Sequence, residues 1–231
     1  MSTQAQILTS LRARLDEPTT VYWTDVDLRT WINEIAADIA RTTESLRASE
    51  TFAGVAGTGS YTPTFTLTPQ RIYRVTYKPT GSNSTYPLTF RDPNAMDEVW
   101  GTLQSTQGTP SFWTSWGYPP ALTIQLFPVP SVSGTVTCFF YRKSTVLATD
   151  GSAAASTVDI PAGWEDVLVD GAEYKALRRD SDPRWTEAKQ LYDMGKAGLM
   201  ESALRFTDAQ PVITSQFGTS VPMWLYGGYD D

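Results

Sequence analysis

The hydrophobic period of the chain changes twice, and this constrains the fold more than any single motif. Toward both ends apolar residues recur every three or four positions, the spacing of a helix face. Between about residues 51 and 159 they recur every second position, in short runs separated by Gly, Pro, Ser and Thr, which is the pattern of strands and turns. Ile7, Leu8, Leu11 and Leu15 mark a first helix over 3–16, closed by Glu17-Pro18. In YWTDVDLRTWINEIAADIA, Thr24 is a candidate cap with Asp27 three residues on, and Trp23 and Leu28 occupy the two positions of a hydrophobic staple. Leu28, Trp31, Ile32, Ile35 and Ile39 then form one apolar stripe, opposite Arg29, Asn33 and Asp38, so the spacing predicts a helix over 24–48 with Trp31 buried.

Helical spacing returns after Ile160-Pro161. Trp164, Leu168, Ala172 and Ala176 share one face of a helix over 163–179. Asp182 as cap and Pro183 at the first helical position then open another over 183–206, whose apolar face runs through Trp185, Ala188, Tyr192, Gly195 and Leu199.

The middle of the chain carries the alternating runs TFTL (64–67), RIYRVTYK (71–78), PLTF (87–90), FWTSW (112–116), LTIQLF (122–127) and TVTCFFYRK (135–143), with a short helix expected over 92–103. Pro128 and Pro130 cannot donate to a ladder and end the run that holds Ile124 and Leu126; Gly134 precedes the run that holds Val136, Cys138 and Phe140. These two runs are expected to pair as a hairpin with a longer loop. Residues 207–231 lose all periodicity. Pro211, Gly218, Pro222 and Gly227-Gly228 forbid a long helix, while Phe217, Trp224, Leu225, Tyr226 and Tyr229 are too apolar for a solvated tail. Such a segment orders on another surface, by strand addition or pocket insertion, and these five residues are the candidate docking contacts.

The expected fold is therefore α+β: a helical bundle from N- and C-terminal helices, with a central antiparallel β insertion and an extended C-terminal arm. Its divisions are 1–50 and 160–206 for the bundle, 51–159 for the inserted β domain and 207–231 for the arm. Each apolar helical stripe needs a partner, and the other helices supply the matching surface.

Among 231 residues there is no histidine, which removes Ser-His-Asp and Cys-His nucleophile pairs, most zinc sites and the usual general base near neutral pH. Cys138, the only cysteine, sits on the apolar side of its run, a buried thiol rather than a nucleophile, and no intrachain disulfide is possible. The adjacent acids Asp25/Asp27, Asp97/Glu98 and Glu165/Asp166 fall where helices begin, positions that the helix dipole favours. With no phosphate-binding, dinucleotide or calcium loop, neither an enzyme nor any catalytic, cofactor or metal site is expected. No apolar run approaches the roughly 20 residues of a membrane helix, and Met1–Ser10 lacks the pattern of a signal, so a cytoplasmic compartment is expected.

The net charge is −7, unevenly spread. Residues 51–159 hold six basic and five acidic side chains, +1, which leaves −8 to the rest. Basic residues interleaved with aromatics in RIYRVTYK suit nucleic acid, but one strand face in an acidic protein reads first as a solvated face.

Three stretches carry a family resemblance: WTDVDLRTWINEIAADIARTTESL near the start, LTIQLFPVP followed by TVTCFFYRK, and DIPAGWEDVLVDGAEYKALRRDSDP before WTEAKQLYDMGKAGLMESAL. In order and texture the chain resembles the head-to-tail adaptor, or connector, proteins of tailed bacteriophages over most of residues 3–206. The resemblance implies a structural virion protein of the neck, assembled in the host cytoplasm as a homo-oligomeric ring, a dodecamer in most such adaptors. Its partners would be the portal protein above and a downstream tail component below, with no membrane involved. Genomic DNA would pass through its channel without specific binding, and an acidic wall, which holds phosphate weakly, suits that passage. The rival reading is an aromatic-rich carbohydrate-binding module of a phage or bacterial surface protein, with FWTSWGYPP (112–120) as a stacking platform. A carboxylate-dependent glycosidase is a third.

Overall fold

The computed structural model describes residues 2–17, 22–93 and 106–208. Two helices open the chain, α1 (Gln4–Arg14) and α2 (Asp25–Thr43). Among the described residues nine strands follow: β1 (Arg47–Gly54), β2 (Ser60–Tyr61), β3 (Pro69–Pro79), β4 (Tyr86–Phe90), β5 (Gln107–Gly108), β6 (Phe112–Trp116), β7 (Thr123–Phe127), β8 (Val129–Pro130) and β9 (Gly134–Arg142). Helices α3 (Glu165–Arg179) and α4 (Trp185–Asp208) close the described chain.

Seven strands form one curled sheet, a half-barrel, in the order β1-β9-β3-β4-β6-β7-β2; β5 and β8 make a separate two-stranded sheet. This overturns the expected fold class. The molecule is not a helical bundle with a small antiparallel insertion: the sheet is its main body, with helices at the two ends of the chain. Nor is the sheet purely antiparallel, because β4 and β6 run parallel, with Thr89 opposite Phe112 and Phe90 opposite Trp113. The expected hairpin is also corrected. β7 pairs with β6, Phe112 opposite Phe127, while β9 lies between β1 and β3 at the other side of the sheet. The proline-rich link between β7 and β9 is used for β8, which pairs with β5, so the chain crosses the sheet instead of turning back beside itself.

Strand alternation gives the sheet two unlike faces. Val136, Cys138 and Phe140 of β9 point inward with Val75, Tyr77, Leu88, Trp113, Ile124 and Leu126, and these residues fill the half-barrel. Phe65 folds over its open side, its ring 5.3 Å from that of Phe140.

A second core gathers Ile7, Leu11, Leu28, Ile32, Ile35, Ile39, Leu168, Ala172 and Leu199 from the four helices. The start of α2 follows its sequence: Thr24 Oγ1 accepts from the Asp27 amide at 3.1 Å, and Trp23 and Leu28 are buried on either side of the cap. Its end does not. Glu44 turns left-handed at φ 49°, the helix stops at Thr43, and Arg47 already belongs to β1. Trp31, expected in the core, is half-buried at its edge, against Trp23 with ring centroids 5.5 Å apart. Arg29 and Asn33, expected on a solvated face, are buried instead. The segment after β9 covers this side of α2: Asn33 Nδ2 donates to the Leu147 carbonyl at 2.7 Å, and Leu147 N donates back to Asn33 Oδ1 at 3.2 Å.

The three longer helices come together at Gly171. A Cβ there would stand 2.7 Å from Ile35 Cγ2 and 2.9 Å from Tyr192 Cδ2, so only glycine lets α2, α3 and α4 approach this far. The helix expected over 92–103 lies almost wholly outside the described residues.

Candidate interaction surface

The outer face of β1, β9 and β3 collects the basic and aromatic side chains of the sheet. Arg71 stands opposite Tyr141, and Arg74 opposite Phe139, with a register shift between Ile72 and Arg74. A bulge sets two residues of one strand against one of its partner, and here it brings Arg74 to the same side as Arg71 and Tyr73. Unbroken alternation would have turned Arg74 inward. This is why the alternation read from RIYRVTYK does not show that its cations crowd on one face.

The rings and guanidinium groups are stacked. Tyr73 lies 4.8 Å from Tyr141 and 6.5 Å from Phe139, centroid to centroid. Arg71 and Arg47 stand over the Tyr141 ring at 5.0 and 5.7 Å, and Arg74 over Phe139 at 5.2 Å. Each such contact is worth about 0.5–1 kcal/mol at an exposed site. Arg71 also pairs with Glu44, and Lys78 is exposed farther along β3. Pre-stacked arginines beside half-buried rings lose little freedom on contact, which makes this face suited to binding acidic or aromatic protein surfaces.

FWTSWGYPP does not form a continuous platform. Trp113 is in the half-barrel core, Phe112 packs against Phe127, and Trp116 and Tyr118 are exposed. Tyr118 borders a cleft of about 460 Å³ with Tyr73, Phe90 and Trp113. A larger cleft of about 760 Å³ opens where α2, α3 and α4 meet the segment after β9, between Ile35, Asp38, Lys143, Val146, Tyr174 and Tyr192. Asp38 is engaged on its rim. Burial would raise its carboxyl, but hydrogen bonds from Tyr192 at 2.6 Å, Arg41 at 2.9 Å and Lys196 at 3.1 Å outweigh that and hold it at about 2. Burial, and then Asp38, pushes the Tyr192 hydroxyl upward in turn.

The acid pairs are placed structurally. Asp25 accepts from buried Arg12, Asp27 from Thr24 with Arg179 3.1 Å away, and Glu165 and Asp166 occupy the first turn of α3. Asp97 and Glu98 lie outside the described residues. Burial lifts the Cys138 thiol to about 12, an inert group in the core. Among the described residues no three Cys, Asp or Glu side chains are grouped to hold a metal ion, and no helix is long and apolar enough to cross a membrane. The five docking contacts expected from the sequence, Phe217, Trp224, Leu225, Tyr226 and Tyr229, lie outside the described residues.

No curated protein matches the chain. The family model of the SU10 adaptor protein matches residues 2–215, a stretch that takes in both end helices, the half-barrel and the first residues beyond α4. A match across nearly the whole chain agrees with the resemblance carried by the α2 cap, the β7–β9 stretch and the Ile160-Pro161 entry to α3. This chain belongs to the SU10 adaptor protein family, that of the phage head-to-tail adaptors.

Proposed function

We propose that this adaptor assembles as a ring, twelve copies by analogy with most such connectors, beneath the portal of a filled head in the neck of the virion. The ring continues the DNA channel and offers its lower surface to the next tail component. The observation that carries the reading is the family match over residues 2–215, which includes both the helical layer and the sheet. A ring needs two different complementary surfaces on each copy, because its contacts run head to tail. The stacked arginine face of the sheet and the acidic helical layer are such a pair.

In the same reading, residues 207–231 are a docking arm, and Phe217, Trp224, Leu225, Tyr226 and Tyr229 anchor it on the portal. The test is negative-stain imaging of the protein alone and mixed with its own portal. Rings on the portal are expected from the full chain, whereas a chain lacking residues 212–231 stays folded and leaves the portal bare. Full-length protein that never joins portal would overturn the adaptor ring. A truncated chain that still joins heads and yields infectious particles would overturn the docking arm alone.

A further inference from the structure

Helix α4 is apolar on two sides. Ala188, Tyr192 and Leu199 pack into the helical core, as the spacing of an amphipathic helix requires. Leu191, Met194, Met200 and Leu204 recur over its solvent side, exposed at 48, 72, 47 and 54%. Single exposed apolar residues are ordinary on any surface, but four on one helix make a patch, which stands open among the described residues. Acids sit among them. Glu187, Asp193 and Glu201 are exposed, while Lys189 and Lys196 turn to Asp193 and Asp38, so this side of the helix is apolar and acidic together.

The outer face of β1, β9 and β3 has the converse character. Arg71, Arg74 and Lys78 are exposed along β3, around the rings of Tyr73 and Phe139. Thioethers meet aromatic rings favourably, and carboxylates meet guanidinium groups through paired hydrogen bonds, so the side chains of the two faces match in kind. Their lengths match as well. From Arg71 to Lys78 an extended strand covers about 23 Å, and from Glu187 to Leu204 a helix covers about 25 Å. Both faces are exposed in one copy, so the contact that covers them runs between copies.

We infer that the solvent side of α4 in one copy docks on the outer face of β1, β9 and β3 in the next. The inference rests on the ring reading and names its subunit contact, with a second copy of this chain as the occupant of both faces. The centre of the contact is methionine and leucine against tyrosine and phenylalanine, and its rim is carboxylate against arginine. Each copy gives one helix face and receives on one sheet face, so the contact is head-to-tail and propagates from copy to copy.

The full chain tests this, both alone at high concentration and mixed with its own portal. Chains carrying Tyr73→Cys are mixed with chains carrying Met194→Cys; Cys138 is buried and takes no part. Mild oxidation is expected to give a disulfide-linked dimer in the mixture at least tenfold more than in either variant by itself. Dimers that form equally well in one variant alone would show a symmetric contact and overturn the pairing. In separate chains, Arg74→Glu and Met194→Asp should each raise the concentration needed for assembly at least tenfold without shifting the thermal midpoint. Mixed together they should recover a dimer and nothing larger, because one intact sheet face and one intact helix face remain; a mixture that stays monomeric would overturn the contact. Met194→Cys in the separated monomer should react quickly with a maleimide, and a slow reaction would show the face already covered within one chain, which also overturns it. Rings on the portal without the Tyr73–Met194 crosslink would sink this contact and leave the ring reading standing, whereas neither rings nor crosslink would sink both.

Discussion

Arg142, the last residue of β9, donates Nη1 and Nη2 to the two carboxylate oxygens of Asp159, at 2.6 and 2.8 Å. The Thr145 amide adds a third donor at 2.7 Å. The pair fastens the end of β9 to the segment that leads into α3, and both side chains are mostly shielded from water. Asp159→Asn should cost about 2 kcal/mol, because it leaves a partly buried guanidinium without its counter-charge. Arg142→Lys should recover little, since an ammonium cannot make the two parallel bonds. The midpoint of urea unfolding measures both.

Acid should loosen the molecule in a defined window. Burial works to raise the Asp159 carboxyl, but Arg142 and Thr145 outweigh it and hold it at about 2, below its ordinary 3.8, as the partners of Asp38 do for that residue. A group depressed in the folded state contributes stability above its unfolded value and loses it as pH falls through the folded one. Stability should therefore hold above pH 3.8 and fall toward pH 2. The double variant Asp38→Asn/Asp159→Asn, less stable at neutral pH, should show a shallower fall in its unfolding midpoint across that window.

Along α2 the neighbouring residues Trp31 and Ile32 should respond unequally. Ile32 is fully buried, so Ile32→Ala should cost about 3 kcal/mol. Trp31 is half-buried, its ring edge-on to Trp23 with the Arg179 guanidinium 5.7 Å from its centroid, so Trp31→Ala should cost only about 1–2 kcal/mol. Thermal melts of the two variants give the order, and a larger loss for Trp31→Ala would contradict the packing described.

Gly171→Ala adds one methyl group where no space exists. Ile35 and Tyr192 must both retreat, and the change should cost about 1–3 kcal/mol despite the better helix propensity of alanine. Ile35→Val in the same chain should restore part of the loss, which denaturant titration of the double variant would reveal.

How much of the fold is legible in the sequence depends on whether local chemistry decides the outcome. Thr24, Asp27, Trp23 and Leu28 are a cap and staple that act within five residues, and the start of α2 is where they put it. Its end is not legible, because RASETFAG lacks an apolar alternation. Glu50 lies on the inner side of β1, where its carboxylate accepts from the Thr66 and Leu67 amides at 2.8 and 2.7 Å. Nothing in the sequence near Glu50 announces that partner. β7 and β9 resemble a hairpin because they are consecutive long runs, but consecutive runs need not pair when a short strand such as β8 diverts the link. The bulge at Tyr73 hides the arginine face for a related reason: it breaks the very period by which faces are read. The family resemblance is untouched by these differences because it rests on the order of motifs, not on the pairing between them.

The place of β9 in the sheet also sets a timetable for the newborn chain. In the ladder β1 and β3 are joined only through β9, with Arg47 and Arg71 both paired to Tyr141. While the ribosome is still short of residue 134, these two long strands have no shared neighbour, and α1 and α2 lack the α3 surface that covers them. Locally closed pieces such as β3 with β4, or β6 with β7, are too small to persist alone. The protein therefore condenses late, in one step dominated by contacts between distant parts of the chain, and refolding in the test tube should be correspondingly slow.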